Sequence, residues 1–346
     1  MKMSDKNMSG TNTESPLGEW GKGFSDCVAR QPGGGEGVVK ELGARFKTVV
    51  EHFGPAYDKA EERAEEFQKK YRRTSIAVYI LAVLAVLIVS AQSIFHLNHL
   101  VILGEVIAIL VILLLFHFGL RREWHINWVE SRLEAEWLRN GIFVAFLSGG
   151  SRPGIARHWA CKWVSDAAGV VRVQEKWKNL PELAPLRDAD LGMLKDYMAN
   201  VWLKDQQLYH EGKSKKQMAL HRRISIFGEV MFWGTLVAAL IHLAPHSWYN
   251  HWCLPEEPIV RTLTLLAIGL PTIGAALTGL RSHFEYNKIA SRSAMMADHL
   301  ATLHEDLEKV DSVAGLKEIV GETETLMLQE NSDWYFTIGM HHIEKG

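Results

Sequence analysis

The sequence predicts an all-α integral membrane protein, with four transmembrane helices arranged as two hairpins and long cytosolic helical extensions. Three observations carry this. Stretches 74–95, 100–120, 224–244 and 262–280 are each apolar and long enough to cross a hydrocarbon core of roughly 30 Å. Basic residues stand at the same four ends: Lys69, Lys70, Arg72 and Arg73, then Arg121 and Arg122, then Arg222 and Arg223, then Arg281. Elsewhere the apolar residues follow helical spacing, and no run alternates as a strand would.

The first two spans are joined by "HLNH", short enough for a hairpin. The second pair is less apolar, because Glu229, His242 and Pro271 dilute it. Only Arg261 lies in the outer connections, so the positive-inside rule places both termini and the central region in the cytoplasm. The expected location is the inner (cell) membrane, multi-pass. Trp248, Tyr249 and Trp252 fit an interfacial aromatic belt on the outer side.

Composition narrows the classes further. A formal net charge of −2 over 346 residues supplies no basic field for nucleic acid. Cys27, Cys161 and Cys253 are far apart and without a CxxC partner, which argues against a disulfide framework or a zinc site. The first residues lack a basic start followed by an apolar core, so no cleavable signal peptide is expected.

Along the chain, 1–37 reads as a disordered tail, closing on "PGGGEG" at 32–37. A phosphate loop would need a strand before those glycines, and the preceding residues make a poor one; a flexible linker fits better. Residues 38–73 form amphipathic and charged helices. Val39, Leu42, Phe46, Val49, Val50 and Phe53 mark one apolar face, which docks on the cytosolic body or lies on the inner leaflet. Gly54-Pro55 should break the chain before a charged helix that enters the first span. Then come hairpin 1 (74–120), a cytosolic helical region (121–223), hairpin 2 (224–280) and cytosolic C-terminal helices (281–346).

In the central region a helix over 121–147 carries Trp124, Trp128, Arg132, Glu136 and Arg139 at one- and two-turn spacings, the pattern of a packing seam on a stalk. Glu130, Glu134 and Glu136 fit a solvated face instead. A shorter helix is expected at 155–169, a break at 179–188 with its two prolines, and a helix from 189 running into span three. A faint repeat relates the hairpins: Trp124 and Arg132 follow Arg121 at the distances by which Phe284 and Arg292 follow Arg281.

"YRRTSIAVYILAVLAVLIV" followed by "RREWHINWVESRLEAEWLR" resembles the SMODS- and SLOG-associating two-transmembrane effectors, the SLATT family. The family's R-x-x-AE-x-LR core is matched by Arg132, Ala135, Glu136, Leu138 and Arg139. The later "PTIGAALTGLRSHFEYNKIASRSAMMADHL" and "ENSDWYFTIGM" look like the downstream half of longer relatives. Those relatives carry an N-terminal Rossmann-like nucleotide sensor, for which the stretch before residue 55 is too short. The resemblance implies a pore-forming or membrane-depolarising effector in a bacterial nucleotide-signalled conflict or antiphage system. A separate protein would sense or generate the nucleotide.

Two carboxylates lie within spans, Glu105 and Glu229. A charged side chain facing lipid at mid-membrane costs about 2.5–3.5 kcal/mol or more, so each should face the bundle or an aqueous path. Each sits about six residues from opposite membrane faces, roughly 9 Å deep at 1.5 Å per residue, too far apart to share a metal ion. They could line a pore or be interhelical hydrogen-bonding groups. Pro271 and Gly274 lie on a small-residue face of span four that is a packing seam or a hinge. No nucleophile, metal or cofactor motif argues for an enzyme. The expected partners are the lipid bilayer, further copies of the chain in a homo-oligomer, and a separate sensor protein. A constitutive ion channel or transporter using Glu105 and Glu229, and a non-catalytic membrane scaffold for a cytosolic partner, remain open.

Overall fold

A computed structural model describes residues 16–30, 36–149, 168–243 and 256–339. Ten α-helices follow in order among them: α1 (Pro16–Arg30), α2 (Glu36–Phe95), α3 (Ile102–Arg121), α4 (Trp124–Ser148), α5 (Ala168–Lys178), α6 (Leu191–Tyr197), α7 (Lys204–His242), α8 (Glu256–His283), α9 (Tyr286–Glu308) and α10 (Val313–Gly339). A π-helical turn, Met198–Leu203, joins α6 to α7. The described residues contain no strand, so the all-α expectation holds. They divide into two compact units. A helical body comprises Met1–Gln68, His125–Lys213 and Arg292–Gly346, and a span unit comprises Lys69–Trp124 and Ser214–Ser291.

The body is built around α4. Every residue from Leu133 to Ser148 is buried, so this is a core helix rather than a stalk with one seam. Around it lie Leu42, Val49 and Phe53 of α2, Val173 and Trp177 of α5, Met193 and Leu194 of α6, Leu300 of α9 and Val320 of α10. The apolar face of 39–53 is therefore docked within the body. Gly169 lets α5 approach α4 closely, since a Cβ there would sit 2.8 Å from the Glu134 Cβ.

Four sequence expectations change. Residues 16–30, read as part of a disordered tail, form α1, and Trp20 and Cys27 enter the core. The cause is a stripe, Leu17, Trp20, Phe24, Cys27 and Val28, whose three- and four-residue spacing puts all five on one face. Gly54-Pro55 does not break the chain: α2 runs 60 residues with Pro55 inside it. Proline removes one backbone donor, and the flanking Phe53 and Tyr57 are locked in the core. Finally, the helices expected to continue from both hairpins are interrupted. Arg122–Glu123 and Phe284–Glu285 form turns, with Glu123 and Glu285 both at φ 47°. Neither junction has a glycine or proline to announce it. Residues 32–35 of the expected linker, most of the helix expected at 155–169 and the outer-loop aromatics lie outside the described residues, while Glu36 and Gly37 open α2.

In the span unit, four helices are long and apolar enough to cross a membrane, and only 6–11% of their most apolar windows are buried. A core helix of a soluble protein would be covered by protein; these helices present their apolar surface outward. α2 and α8 pack closely, since a Cβ at Gly279 would lie 2.8 Å from the Tyr79 ring and one at Gly269 2.9 Å from Leu87. At one end of that pair, His283 Nε2 lies 3.0 Å from the Tyr71 hydroxyl and 3.1 Å from Ser75 Oγ. α7 joins α8 through Gly234 against Leu270 and through Arg281 Nη1, which donates to Ser225 Oγ at 2.6 Å. α3 joins α2 through Gly104 against Ile88.

Candidate functional site

Two groups of polar side chains stand out, one in each unit. In the body, spacing on α4 places Glu136 between Arg132 and Arg139. Glu136 pairs with Arg132 and with Arg139 Nη2 at 2.5 Å, and its side chain is almost wholly buried. Burial opposes the charge, but Arg132 and Arg139 outweigh it and hold the Glu136 carboxyl below its usual range. Burial likewise opposes the Arg132 charge, and Glu136 nevertheless raises the guanidinium pKa. Glu61, hydrogen-bonded to Tyr57, lies in the same network; burial pushes its carboxyl up. Two residues before Glu136, on the far side of the helix, buried Glu134 accepts from Arg63 Nη2 at 2.8 Å and from Arg172 Nε at 2.7 Å. Glu134 and Glu136 thus belong to the core, not to a solvated face.

Trp128 packs edge-on against Trp334, with ring centroids 5.4 Å apart. Trp124 falls in the span unit and the other four seam residues in the body, so the structure splits the predicted seam between the units.

The residue that sequence reasoning missed here is His210. It is 4% exposed, and burial first, then Lys213, Arg139 and Arg132, push its pKa down to about 2. Above pH 6.5 the unfolded histidine is neutral too. Below it the unfolded chain binds a proton that the folded ring refuses, so stability falls with falling pH. Between pH 6.5 and 5 the wild type should lose roughly 1.5–2 kcal/mol more than His210→Gln, as measured by denaturant unfolding at each pH. Parallel pH curves for the two proteins would show that His210 titrates freely.

Beside the π-turn a cleft of about 300 Å³ is lined by Lys195, Asp196, Asn200, Lys204, His304 and Glu308. Several of its polar groups are already engaged within the chain. Lys195 Nζ donates to the Glu308 and Val310 carbonyls at 3.0 and 2.6 Å, and Asp196 pairs with Arg30 at 2.8 Å. Among the described residues no three His, Cys, Asp or Glu side chains converge as a metal site.

In the span unit the two carboxylates separate. Glu105 is half-buried on α3, near the packed residues Gly104 and Ala108, whereas Glu229 is exposed on α7. Gly274 packs against Met231, where a Cβ would meet the Met231 Cβ at 3.6 Å, an ordinary contact that supports a seam between α7 and α8. Pro271 is exposed, and α8 passes through it unbroken.

Four exposed apolar helices and a separate body with buried ion pairs define an all-helical membrane protein. No family model, curated protein or solved structure matches the chain.

Proposed function

We propose that the chain is a non-catalytic membrane effector that forms a pore in, or depolarises, the inner membrane. It acts in a bacterial nucleotide-signalled conflict or antiphage system, as its SLATT-like motifs imply. The observation that carries the permeation reading is Glu229, an ionisable side chain within a span yet exposed on its helix. Such residues mark ion paths or protein contacts far more often than lipid-facing surface. On the positive-inside reading both termini and the body are cytosolic, where a separate sensor or nucleotide-generating protein would deliver the signal.

A carboxylate beside a path raises the local cation concentration. Glu229→Gln keeps shape and hydrogen-bonding capacity while removing the charge. In liposome flux the variant should insert normally and conduct fewer cations, or lose cation selectivity. Unchanged flux per inserted protein would make Glu229 a contact residue only. Absence of flux from the wild type under any nucleotide trigger would favour the scaffold reading.

A further inference from the structure

The span unit has two inner and two outer helices. Its exposed large hydrophobic residues number nine on α3 and nine on α7 between Ile226 and Ile241, against three on α2 and two on α8. This agrees with the packing: α2 and α8 meet each other, α3 leans on α2, and α7 leans on α8. The unit therefore has two edges.

Each edge carries an ionisable residue turned away from the packing. On α7 the covered residues Ile224, Gly228, Met231, Thr235 and Ala238 recur every three or four positions. At about 100° per residue, Glu229 lies roughly 140° from the centre of that stripe. One turn to either side of it stand Ser225, Ile226, Phe232 and Trp233, so its own helix offers no cation within one turn. On α3 the covered residues are Gly104, Ala108, Val111, Leu115 and Gly119. His117 is exposed on the opposite side, and exposed Arg121 follows one turn later. At 1.5 Å per residue, Glu229 is about 9 Å in from Arg223 and His117 about 6 Å in from Arg121. The depths match to within the reach of a side chain.

We propose that α3 of one copy docks on α7 of the next, bringing His117 and Arg121 beside Glu229. The contact is head-to-tail, so it builds a ring or an open chain of copies rather than an isolated symmetric dimer. Lipid would leave the carboxylate without a partner; a second copy supplies two candidate donors at the right depth. The inference rests on the effector reading for the assembly's purpose and names the partner of Glu229 as another copy of the same chain, so that Glu229 would act on flux through the contact between copies rather than as a free carboxylate beside the path.

Cysteine cross-linking in native membranes tests it. Leu110 and Trp233 lie on the same two outward faces, about 16 Å from Arg121 and about 15 Å from Arg223, and carry no charge. The full-length double variant Leu110→Cys/Trp233→Cys, oxidised with copper phenanthroline, should give a ladder of multimers. Each single variant should match the unsubstituted chain, which serves as the blank for the native cysteines. Co-expressed single variants should give a dimer and nothing larger. No ladder, or dimers from one single variant alone, would overturn the proposal. Glu229→Arg should abolish the ladder, and adding His117→Glu should restore it; a ladder indifferent to Glu229→Arg would remove the charge pair from the contact. Flux on the same preparations separates the two readings. A ladder without flux rejects permeation and keeps the interface, and flux without a ladder does the reverse.

Discussion

Glu136→Ala should cost the body about 3–5 kcal/mol, because removing one partner of a buried pair leaves charge uncompensated. Arg132 and Arg139 both point at this carboxylate, and the Arg139 and Glu136 side chains are only 4% and 5% exposed. Alanine leaves two guanidinium groups in a site from which water is excluded. Glu51→Ala is the control: Glu51 pairs with Lys47 at 3.8 Å, both side chains are mostly exposed, and such pairs contribute about 0–1 kcal/mol. Denaturant unfolding in detergent, followed by tryptophan fluorescence, should separate the two variants widely. Equal midpoints would mean that α4 is not the buried centre of the body.

The membrane-crossing helices were legible because length and apolarity are properties of a linear stretch. Their orientation was not. A helix apolar on all sides has no stripe to show which face meets its neighbour, so Glu105 and Glu229 read alike in sequence and part company in three dimensions. On α4 the spacing of Arg132, Glu136 and Arg139 was plain. What spacing could not show is that other helices cover the remaining faces, which turns a surface salt-bridge pattern into a buried one. α1 was missed for a different reason: Gly21, Gly23 and the polar residues around them masked a regular apolar stripe. His210 gave no signal, since its meaning depends on Lys213, Arg139 and Arg132 surrounding it in space.

The π-turn at Met198–Leu203 is the least legible element and sets up the second large effect. Up to its first residue, Leu194, Tyr197 and Met198 face the core; from its second-last residue on, Trp202, Gln206 and His210 do. At about 100° per residue, the two sets differ in phase by roughly one residue. The wider π-turn absorbs that extra residue and lets one continuous rod bury both sets. Trp202 sits on the turn with no exposed surface, stacked on Phe143 of α4 at 5.1 Å and an interplanar angle of 3°. Trp202→Ala should therefore cost about 3–5 kcal/mol, the range for truncating a large buried aromatic. Trp202→Phe keeps the stack and also removes an indole Nε1 that has no hydrogen-bond partner among the described residues, so it should lose less than half as much. The same unfolding measurement ranks the two. If phenylalanine is as damaging as alanine, the indole N–H has a partner that matters more than the stack. If neither variant shifts the midpoint, the π-turn does not fix the register of α7 on the body.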